Sequence, residues 1–315
     1  MGLNMVKLSG YILTVLSVVF ASSAVACEGI ELDRGDVFNA PLCIPETPAR
    51  VVVLDPSFGL GVGLDVGLPV VGAPLEMMSD EALHKRAVEH DITSTGFVTE
   101  PSLETIVALQ PDLIIGFVGS ESVASGIYPM AARVAPTLLF TSTDWREFYR
   151  LLASLSGKEQ EVADALDTLD QRIADIKARM PDTTVSVLRI TSWDFQVYLD
   201  APETYAPFEI MKQAGVRRSA YETTDDPSLA LKRPDREELA QLDGDILLYI
   251  VGGTNASDQD GRHAEVLSDP LWKMLPAVRS GQVHRVSHGT WMQFSGIASA
   301  HRVLDDLEAY VVGAP

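Results

Sequence analysis

The stretch Pro101-Ser-Leu-Glu-Thr-Ile-Val-Ala-Leu-Gln-Pro-Asp-Leu-Ile-Ile-Gly116 has a counterpart, register for register, in Pro234-Asp-Arg-Glu-Glu-Leu-Ala-Gln-Leu-Asp-Gly-Asp-Ile-Leu-Leu-Tyr249. Each copy begins with a residue that caps helices, Ser102 or Asp235, and each ends in an aliphatic run that predicts a buried strand. The repetition predicts two related lobes. Helix–strand units of this kind recur throughout α/β proteins, so chance similarity is the alternative.

The same organisation extends outward from both copies. Short aliphatic runs alternate with segments of helical length, which is the pattern of an α/β fold. The runs that predict strands are Arg50–Asp55, Pro69–Gly72, Asp112–Gly116 and Thr137–Thr141 in the first half, and Val185–Ile190, Asp245–Ile250 and Val283–Ser287 in the second.

A long helical pattern separates the two halves. It begins at Asp144, continues to about Met180 and is interrupted only at Ser156-Gly157-Lys158, before Pro181 ends it. We therefore expect a short helix and then a long one within residues 144–180, between lobes at 27–143 and 181–315. A helix of that length can join two lobes as a stiff strut.

The N-terminus has the order of a secretory signal. An apolar run from Leu8 to Phe20 precedes small residues that end in Ala24-Val25-Ala26. This predicts removal of residues 1–26 and a periplasmic mature chain that begins at Cys27. The run is shorter than the ~20 apolar residues that span a bilayer, which disfavours a membrane anchor.

The two cysteines, Cys27 and Cys43, flank a short segment with a Gly35-Asp36 turn that can fold back as a hairpin. Disulfides persist in exported proteins, and pairing would use both thiols. The closed loop of about 15 residues would be worth roughly 3 kcal/mol in the chain-entropy model. The alternative is that Cys27 carries a lipid, although Ala24 stands where a lipoprotein signal usually has Leu.

Composition narrows the function. A chain of 315 residues with 46% hydrophobic content can bury the cores of two lobes. Its formal net charge of −20 disfavours nucleic acid as a partner, because the phosphates would be repelled. The acidic surface fits either simple solubility or docking onto a basic partner.

Neither the glycines nor the histidines form a cofactor or metal motif. The glycines from Gly59 to Gly67 follow a strand, but a G-x-G-x-x-G fingerprint would need glycine at Leu64 or Val66. The six histidines contain no H-E-x-x-H pattern, and no G-x-S-x-G elbow is present. We expect no metal ligands, no resident cofactor and no catalytic residues.

Several motifs together resemble one protein family over nearly the whole mature chain. They are Cys43-Ile-Pro45 with Pro48-Ala-Arg50-Val-Val-Val-Leu54, residues 101–115, Asp269-Pro-Leu-Trp272 with Leu275-Pro-Ala-Val278, and Trp291 ahead of Ala300-His-Arg-Val-Leu-Asp-Asp306. The chain resembles the substrate-binding proteins of siderophore, haem and vitamin B12 ABC importers. The resemblance implies two Rossmann-like α/β lobes joined by one long linking helix, the class III periplasmic binding protein type.

The resemblance also implies a cargo and a partner. The cargo would be an Fe(III)–siderophore complex held between the lobes, and the partner an ABC-importer permease at the inner membrane. Glu104 and Glu237 fall where similar proteins place one glutamate per lobe for docking onto permease arginines. The alternative is that both acids only complement a helix dipole. The protein is expected to be a monomer.

Candidate cargo residues lie after strands, because ligands of open α/β sheets bind beyond the carboxyl ends of strands. Arg189 interrupts an apolar strand near its exit, and its guanidinium could bind an anionic chelate. Its alternative role is an ion pair with Asp194 or Glu203. The aromatic candidates are Trp193 and Trp291, whose flat faces could meet the chelate or form core, followed by Phe58, Tyr198 and Tyr205.

Two other functions stay open on the sequence. A haem or corrinoid carrier of the same fold would need an axial ligand, for which Tyr205, Tyr221 or His288 could serve. An exported α/β enzyme that acts on a small anionic substrate could use Arg189 as a clamp and a carboxylate of the cleft as base.

Overall fold

The computed structural model describes residues 27–252 and 259–313. The predicted signal peptide, residues 1–26, lies outside the described residues. The first half begins with an antiparallel hairpin and continues as alternating strands and helices. Its elements are β1 (Ile30–Leu32), β2 (Leu42–Ile44), β3 (Val51–Val53), α1 (Phe58–Asp65), β4 (Val70–Ala73), α2 (Glu81–Glu89), β5 (Thr93–Ser94), β6 (Gly96–Phe97), β7 (Glu100–Pro101), α3 (Leu103–Ala108), β8 (Leu113–Phe117), α4 (Glu121–Ala131) and β9 (Thr137–Phe140).

The second half repeats the alternation with two antiparallel additions. Its elements are α5 (Trp145–Ser154), α6 (Glu159–Arg179), β10 (Val185–Ile190), β11 (Phe195–Tyr198), α7 (Ala206–Gln213), β12 (Leu231–Lys232), β13 (Ile246–Val251), α8 (Arg262–Ser268), α9 (Pro270–Met274), α10 (Pro276–Ser280), β14 (Val283–Val286), α11 (His288–Met292) and α12 (Ile297–Leu307). Short 3-10 helices span Ala220–Glu222 and Glu238–Gln241, and a π-helical turn spans Glu308–Val312.

Each half is built on a five-stranded sheet. The first sheet has the order β5-β4-β3-β8-β9 and is parallel throughout. The second has the order β12-β11-β10-β13-β14, in which β10, β13 and β14 are parallel and β11 and β12 run against them. All seven predicted strands are present, whereas β5, β11 and β12 of these two sheets were not predicted.

The internal repeat is visible in equivalent hydrogen bonds. Asp112 precedes β8, and its carboxylate accepts from the Arg50 N–H at 2.9 Å, just before the neighbouring strand β3. Asp245 precedes β13, and its carboxylate accepts from the Thr184 N–H at 2.9 Å, just before the neighbouring strand β10. Both aspartates therefore fix the start of a parallel pair of strands, at the same place in each half.

The helix of the second copy differs from the prediction. In the first copy, Ser102 caps α3 by accepting from the Thr105 N–H. In the second, Asp235 accepts from the Glu237 and Glu238 N–H groups, but the turn it caps is the 3-10 helix Glu238–Gln241 instead of an α-helix. Leu239 and Leu242 of this segment are buried, so a single short turn already covers the sheet there.

The segment 144–180 forms two helices, with the predicted interruption at Ser156–Lys158. Gly157 adopts a φ of +67°, a left-handed conformation that glycine reaches at little cost and that ends the first helix sharply. The two helices do not stand free as a strut. The first, α5, packs on α1, and the second, α6, packs on α7 and α12.

The N-terminal disulfide prediction is confirmed. Cys27 and Cys43 are bonded, with their Cα atoms 5.6 Å apart; Cys27 precedes β1, and Cys43 lies within β2. Leu32, Leu42 and Ile44 of this hairpin belong to the largest buried cluster. The disulfide thus ties the start of the described chain to the core.

Candidate functional site

The carboxyl ends of the parallel strands in both sheets point to one region between the halves. Phe58 begins α1, directly after β3, and its ring stacks on Phe117 at the end of β8, with centroids 4.3 Å apart. Its other neighbour is Phe294, which precedes α12 of the second half, at 5.4 Å. Phe58 is therefore held by both halves, at the floor of the cleft.

A mainly apolar cavity of about 280 Å³ opens above this aromatic floor. It is closed on the opposite side by the segment that leads into α7 and by the loop before β12. The lining residues are Phe58, Phe117, Thr143, Glu203, Thr204, Tyr205, Ala206, Pro227 and Ala230. Of the predicted residues, Phe58 and Tyr205 lie in this wall.

A second, acidic cavity of about 210 Å³ adjoins the first and shares three of its lining residues. It adds the carboxylates of Asp144 and Glu209 to that of Glu203. Burial raises the pKa of the Glu209 carboxyl, opposed by the positive charge of Arg146. This end of the cleft offers acceptors for hydrogen-bond donors of a ligand.

Arg189 lies at the exit of β10, as predicted. Strand alternation puts it on the same face as Val185 and Val187, and it pairs with Gln196 across the β10–β11 ladder. Nη1 donates to the Gln196 Oε1 at 3.3 Å and to the Tyr198 hydroxyl at 3.4 Å. Tyr198 connects it to the cavity, because its ring lies 6.1 Å from that of Tyr205.

No carboxylate pairs with Arg189 among residues 27–252 and 259–313. The two acids considered from sequence are engaged elsewhere or absent from its contacts: Asp194 bonds Arg233 and Thr191, and Glu203 lines the cavities. The Nε–H of Arg189 is buried without a hydrogen-bond partner in the same part of the chain. Arg189 is thus a half-buried cation whose contacts are all neutral.

The third contact of Arg189 reaches His288, the first residue of α11. Nη2 of Arg189 lies 3.1 Å from Nε2 of His288, and Nδ1 of the same ring lies 2.6 Å from the Ser79 Oγ in the first half. Burial, together with the positive charge of Arg189, lowers the pKa of His288 to about 4. The imidazole is neutral at physiological pH.

The two tryptophan candidates have opposite surroundings. Trp193, in the turn between β10 and β11, is 72% exposed. Trp291 has no exposed surface, and its indole N–H donates to Asp306 at 2.7 Å. The prediction that Trp291 presents a face to the cargo is not met, because the ring lies in the core against Phe208 of α7, with centroids 5.8 Å apart.

Two of the three side chains considered as axial ligands for haem, Tyr205 and His288, are already hydrogen-bonded. The Tyr205 hydroxyl accepts from the Phe294 N–H at 3.2 Å and donates to the Met292 carbonyl at 3.3 Å. Tyr221 lies under the Lys232 ammonium, 4.3 Å from its ring centroid, near the outer edge of the second sheet. His288 uses both ring nitrogens, as described above.

The two glutamates considered for docking are exposed, one on each half. Glu104 lies in the first turn of α3, and Glu237 directly precedes the 3-10 helix of the second copy. Within the described ranges neither glutamate forms an ion pair. Both carboxylates are available to a partner.

Several residues of the site were not predicted. Gln196 belongs to the unpredicted strand β11, and Pro227 and Ala230 belong to the loop before β12. Ser79 joins the site only through folding, since 209 positions separate it from His288. The described residues contain no group of three or more His, Cys, Asp or Glu side chains placed to hold a metal ion. Helices within the same ranges are all too short or too polar to cross a membrane.

The family model described as periplasmic binding protein matches residues 58–287, which is more than half of the chain. The chain belongs to the periplasmic binding protein family. This family consists of substrate-binding proteins, which agrees with a cleft between two halves.

Relatives of this periplasmic binding protein cover most of its length. The Fe(3+)-citrate-binding protein YfmC of Bacillus subtilis is 30% identical over 271 residues, covering 83% of this chain and 80% of that one. The probable siderophore-binding lipoprotein YfiY of the same species is 29% identical over 85% of this chain and 83% of its own. The Escherichia coli Fe(3+) dicitrate-binding periplasmic protein FecB is 28% identical over 84% and 85%.

Solved structures place the periplasmic binding protein in the predicted fold class. Staphylococcus aureus SirA complexed with staphyloferrin B superposes with a TM-score of 0.71 at 23% identity, over 85% of this chain and 94% of that one. The petrobactin-binding protein YclQ of Bacillus subtilis gives a TM-score of 0.70 at 20% identity, over 88% and 96%. At these identities the likeness shows the class III fold and not the ligand.

Proposed function

We propose that this periplasmic binding protein captures an anionic ferric siderophore complex in the cleft between its lobes and delivers it to the permease of an ABC importer. The observation that carries the proposal is Arg189, a half-buried guanidinium that has no carboxylate partner among the described residues. The cargo class is supported by relatives that are named as siderophore-binding or ferric-citrate-binding proteins.

The charge of Arg189 gives the reason for an anionic cargo. Removing a cation partly from water costs free energy when it meets only neutral groups. A buried N–H without an acceptor adds to this desolvation cost. An anionic oxygen of a chelate, such as a carboxylate or catecholate oxygen, would compensate the charge of the guanidinium. Charge-assisted hydrogen bonds to guanidinium are among the stronger ones in proteins.

The shape of the cleft supports a chelate with an organic shell. The aromatic floor of Phe58 and Phe117 and the wall formed by Tyr205 are apolar, whereas the adjoining cavity ends in carboxylates. A ligand with an anionic centre, an apolar backbone and hydroxyl or amine groups at one end matches this arrangement. Iron would keep its bonds to the siderophore, since the described residues offer no cluster of metal ligands.

Delivery would use Glu104 and Glu237. Each lobe carries one exposed carboxylate, at equivalent positions of an internal repeat. Together they would let both lobes dock at once on a permease with two-fold symmetry. The bonded Cys27 has no thiol left for lipid, which favours a free periplasmic protein over a lipoprotein. We infer a monomer that diffuses between cargo and permease.

A titration of the mature protein tests the proposal. Tryptophan fluorescence is followed while ferric dicitrate, a ferric tris-catecholate or a ferric tris-hydroxamate is added, with each iron-free chelator as the control. Trp193 is exposed and follows Arg189 by four residues, and we expect it to show binding by saturable quenching. Failure of every ferric chelate to bind, with a Soret band on addition of haem, would replace the proposed cargo by haem.

A further inference from the structure

Two consecutive hydrogen bonds connect the side chains of Ser79, His288 and Arg189 and so join the two lobes. Ser79 lies in the loop before α2 of the first half, His288 begins α11, and Arg189 ends β10. The distances are 2.6 Å from the Ser79 Oγ to Nδ1 of His288 and 3.1 Å from Nε2 of His288 to Nη2 of Arg189. Only 8% of His288 is exposed, so water is largely excluded from the imidazole.

The chemistry of guanidinium decides which atoms donate and which accept in these two hydrogen bonds. Arginine only donates hydrogen bonds, so Nε2 of His288 must accept with its lone pair. A neutral imidazole then carries its proton on Nδ1 and donates to the Ser79 Oγ. The histidine is consequently no base for the serine hydroxyl, and the contact is not the start of a hydrolytic dyad.

The charged groups around His288 leave Arg189 uncompensated. Asp80 follows Ser79, but its carboxylate is taken by Arg302 at 2.6 Å and by the N-terminal N–H groups of α2. The Ser79 and Asp80 N–H groups both bond the Gln293 side chain at 2.6 and 2.9 Å, which fixes the loop. Arg285 and Glu81 line the polar cavity of about 360 Å³ on the other side of His288.

We propose that His288 is a positioning residue that holds Arg189 in the cleft through a neutral acceptor and thereby sets the preference for anionic cargo. A carboxylate in the same place would orient the guanidinium equally well but would cancel its charge. Through Ser79 the imidazole also anchors the cation to the first lobe. This inference rests on the proposed function, which supplies the anionic ligand. It also requires the Nδ1–H tautomer of His288, which leaves Nε2 free to accept from Arg189.

Two variants of nearly equal size separate orientation from charge. His288→Gln keeps a neutral acceptor, and His288→Glu supplies a carboxylate. The same fluorescence titration is run with ferric dicitrate and with a neutral ferric tris-hydroxamate. His84→Glu, the same charge change at an exposed histidine of α2, is the matched control.

We expect His288→Gln to weaken ferric dicitrate binding by about 3-fold and His288→Glu by about 30-fold or more, the range of one charge-assisted hydrogen bond. The tris-hydroxamate should not distinguish the two variants. Equal losses of ferric dicitrate binding in both variants would overturn the proposal, because His288 would then only fill space.

Nitrogen-15 NMR of histidine in the unaltered protein keeps the inference testable if a variant fails to fold or no chelate binds. The expected signal is the Nδ1–H tautomer at neutral pH. An Nε2–H tautomer would overturn the inference, whereas absence of chelate binding with the Nδ1–H tautomer would count against the proposed function alone.

Discussion

Nη2 of Arg189 lies 3.1 Å from Nε2 of His288, so the cation at the exit of β10 is held by a lone pair and not by a carboxylate. Its other side-chain partners, Gln196 and Tyr198, are neutral as well. A structural arginine of a folded core is normally paired with an acid. Neutral groups therefore hold this guanidinium in place, and its positive charge remains available to an anionic ligand.

Acid should destabilise the fold through His288. Its pKa falls from 6.5 in the unfolded chain to about 4 in the folded protein because the ring is buried beside Arg189. The unfolded chain therefore binds a proton at higher pH than the folded one, and the stability present above pH 6.5 is lost progressively as the pH falls from 6.5 to 4. The loss should reach about 3 kcal/mol at the lowest pH.

Chemical denaturation at pH 7 and pH 4.5 measures this loss. The difference between the two pH values should be smaller in His288→Gln than in the unaltered protein by about 2 kcal/mol. His84→Gln, at an exposed position, is the control and should retain the full difference. The same acid loss in His288→Gln as in the unaltered protein would contradict the prediction.

Removal of the Glu222 carboxylate should weaken the second lobe. Glu222 is fully buried and accepts hydrogen bonds from Arg218 at 2.5 Å, from the Ser186 hydroxyl at 2.7 Å and from the Val187 N–H at 3.0 Å. Glu222→Ala leaves a buried guanidinium without its partner, and we expect a loss of about 3–5 kcal/mol in the free energy of unfolding.

The surface pair Arg262–Glu265, with an exposed carboxylate, provides the comparison. Its atoms are 3.7 Å apart and the Glu265 side chain is 71% exposed. Glu265→Ala should cost less than about 1 kcal/mol, as is usual for ion pairs in water. Equal losses for Glu222→Ala and Glu265→Ala in urea denaturation would show that the buried cluster is not a stabilising unit.

The disulfide should protect the N-terminal hairpin. The double variant Cys27→Ser, Cys43→Ser frees this segment to fray, because the loop-closure constraint worth up to about 3 kcal/mol is lost. Hydrogen exchange at the amides of β1 and β2 should accelerate, whereas amides of the central strand β13 should change little. Unchanged exchange in β1 and β2 would mean that burial of Ile44 alone holds the hairpin.

Charge reversal should separate delivery from capture. Glu104→Arg with Glu237→Arg is expected to abolish uptake of the cargo in a strain that depends on this protein, while the affinity for the ferric chelate stays the same. Asp164→Arg with Asp167→Arg, at exposed positions of α6, is the matched control and should transport normally. Normal uptake by the Glu104 and Glu237 variant would rule out docking through these acids.

The sequence predicted the strands well because their apolar runs are bounded by polar or turn residues. Asp112 and Asp245 mark the start of two of them, and their shared hydrogen-bond role explains why the repeat could be recognised. Strand β11 was missed because its four residues, Phe195–Tyr198, follow β10 after a short turn and form no separate pattern.

The candidate site was predicted only in part. Arg189 was identifiable because it interrupts an apolar strand at its exit. The burial of Trp291 could not be predicted, since an indole after a strand can face either a cleft or the core. The contact between Ser79 and His288 depends on how the two lobes meet, which local patterns do not encode.

The affinity of an anionic ferric chelate for Arg189→Ala, compared with that for the unaltered protein, tests the central claim most directly. Ferric dicitrate is titrated against both proteins and against Arg150→Ala, an exposed arginine of α5 that already pairs with Glu147. The account predicts a loss of roughly 10- to 100-fold for Arg189→Ala, the value of a charge-assisted hydrogen bond, and little change for Arg150→Ala. Equal affinity of Arg189→Ala and the unaltered protein would contradict it.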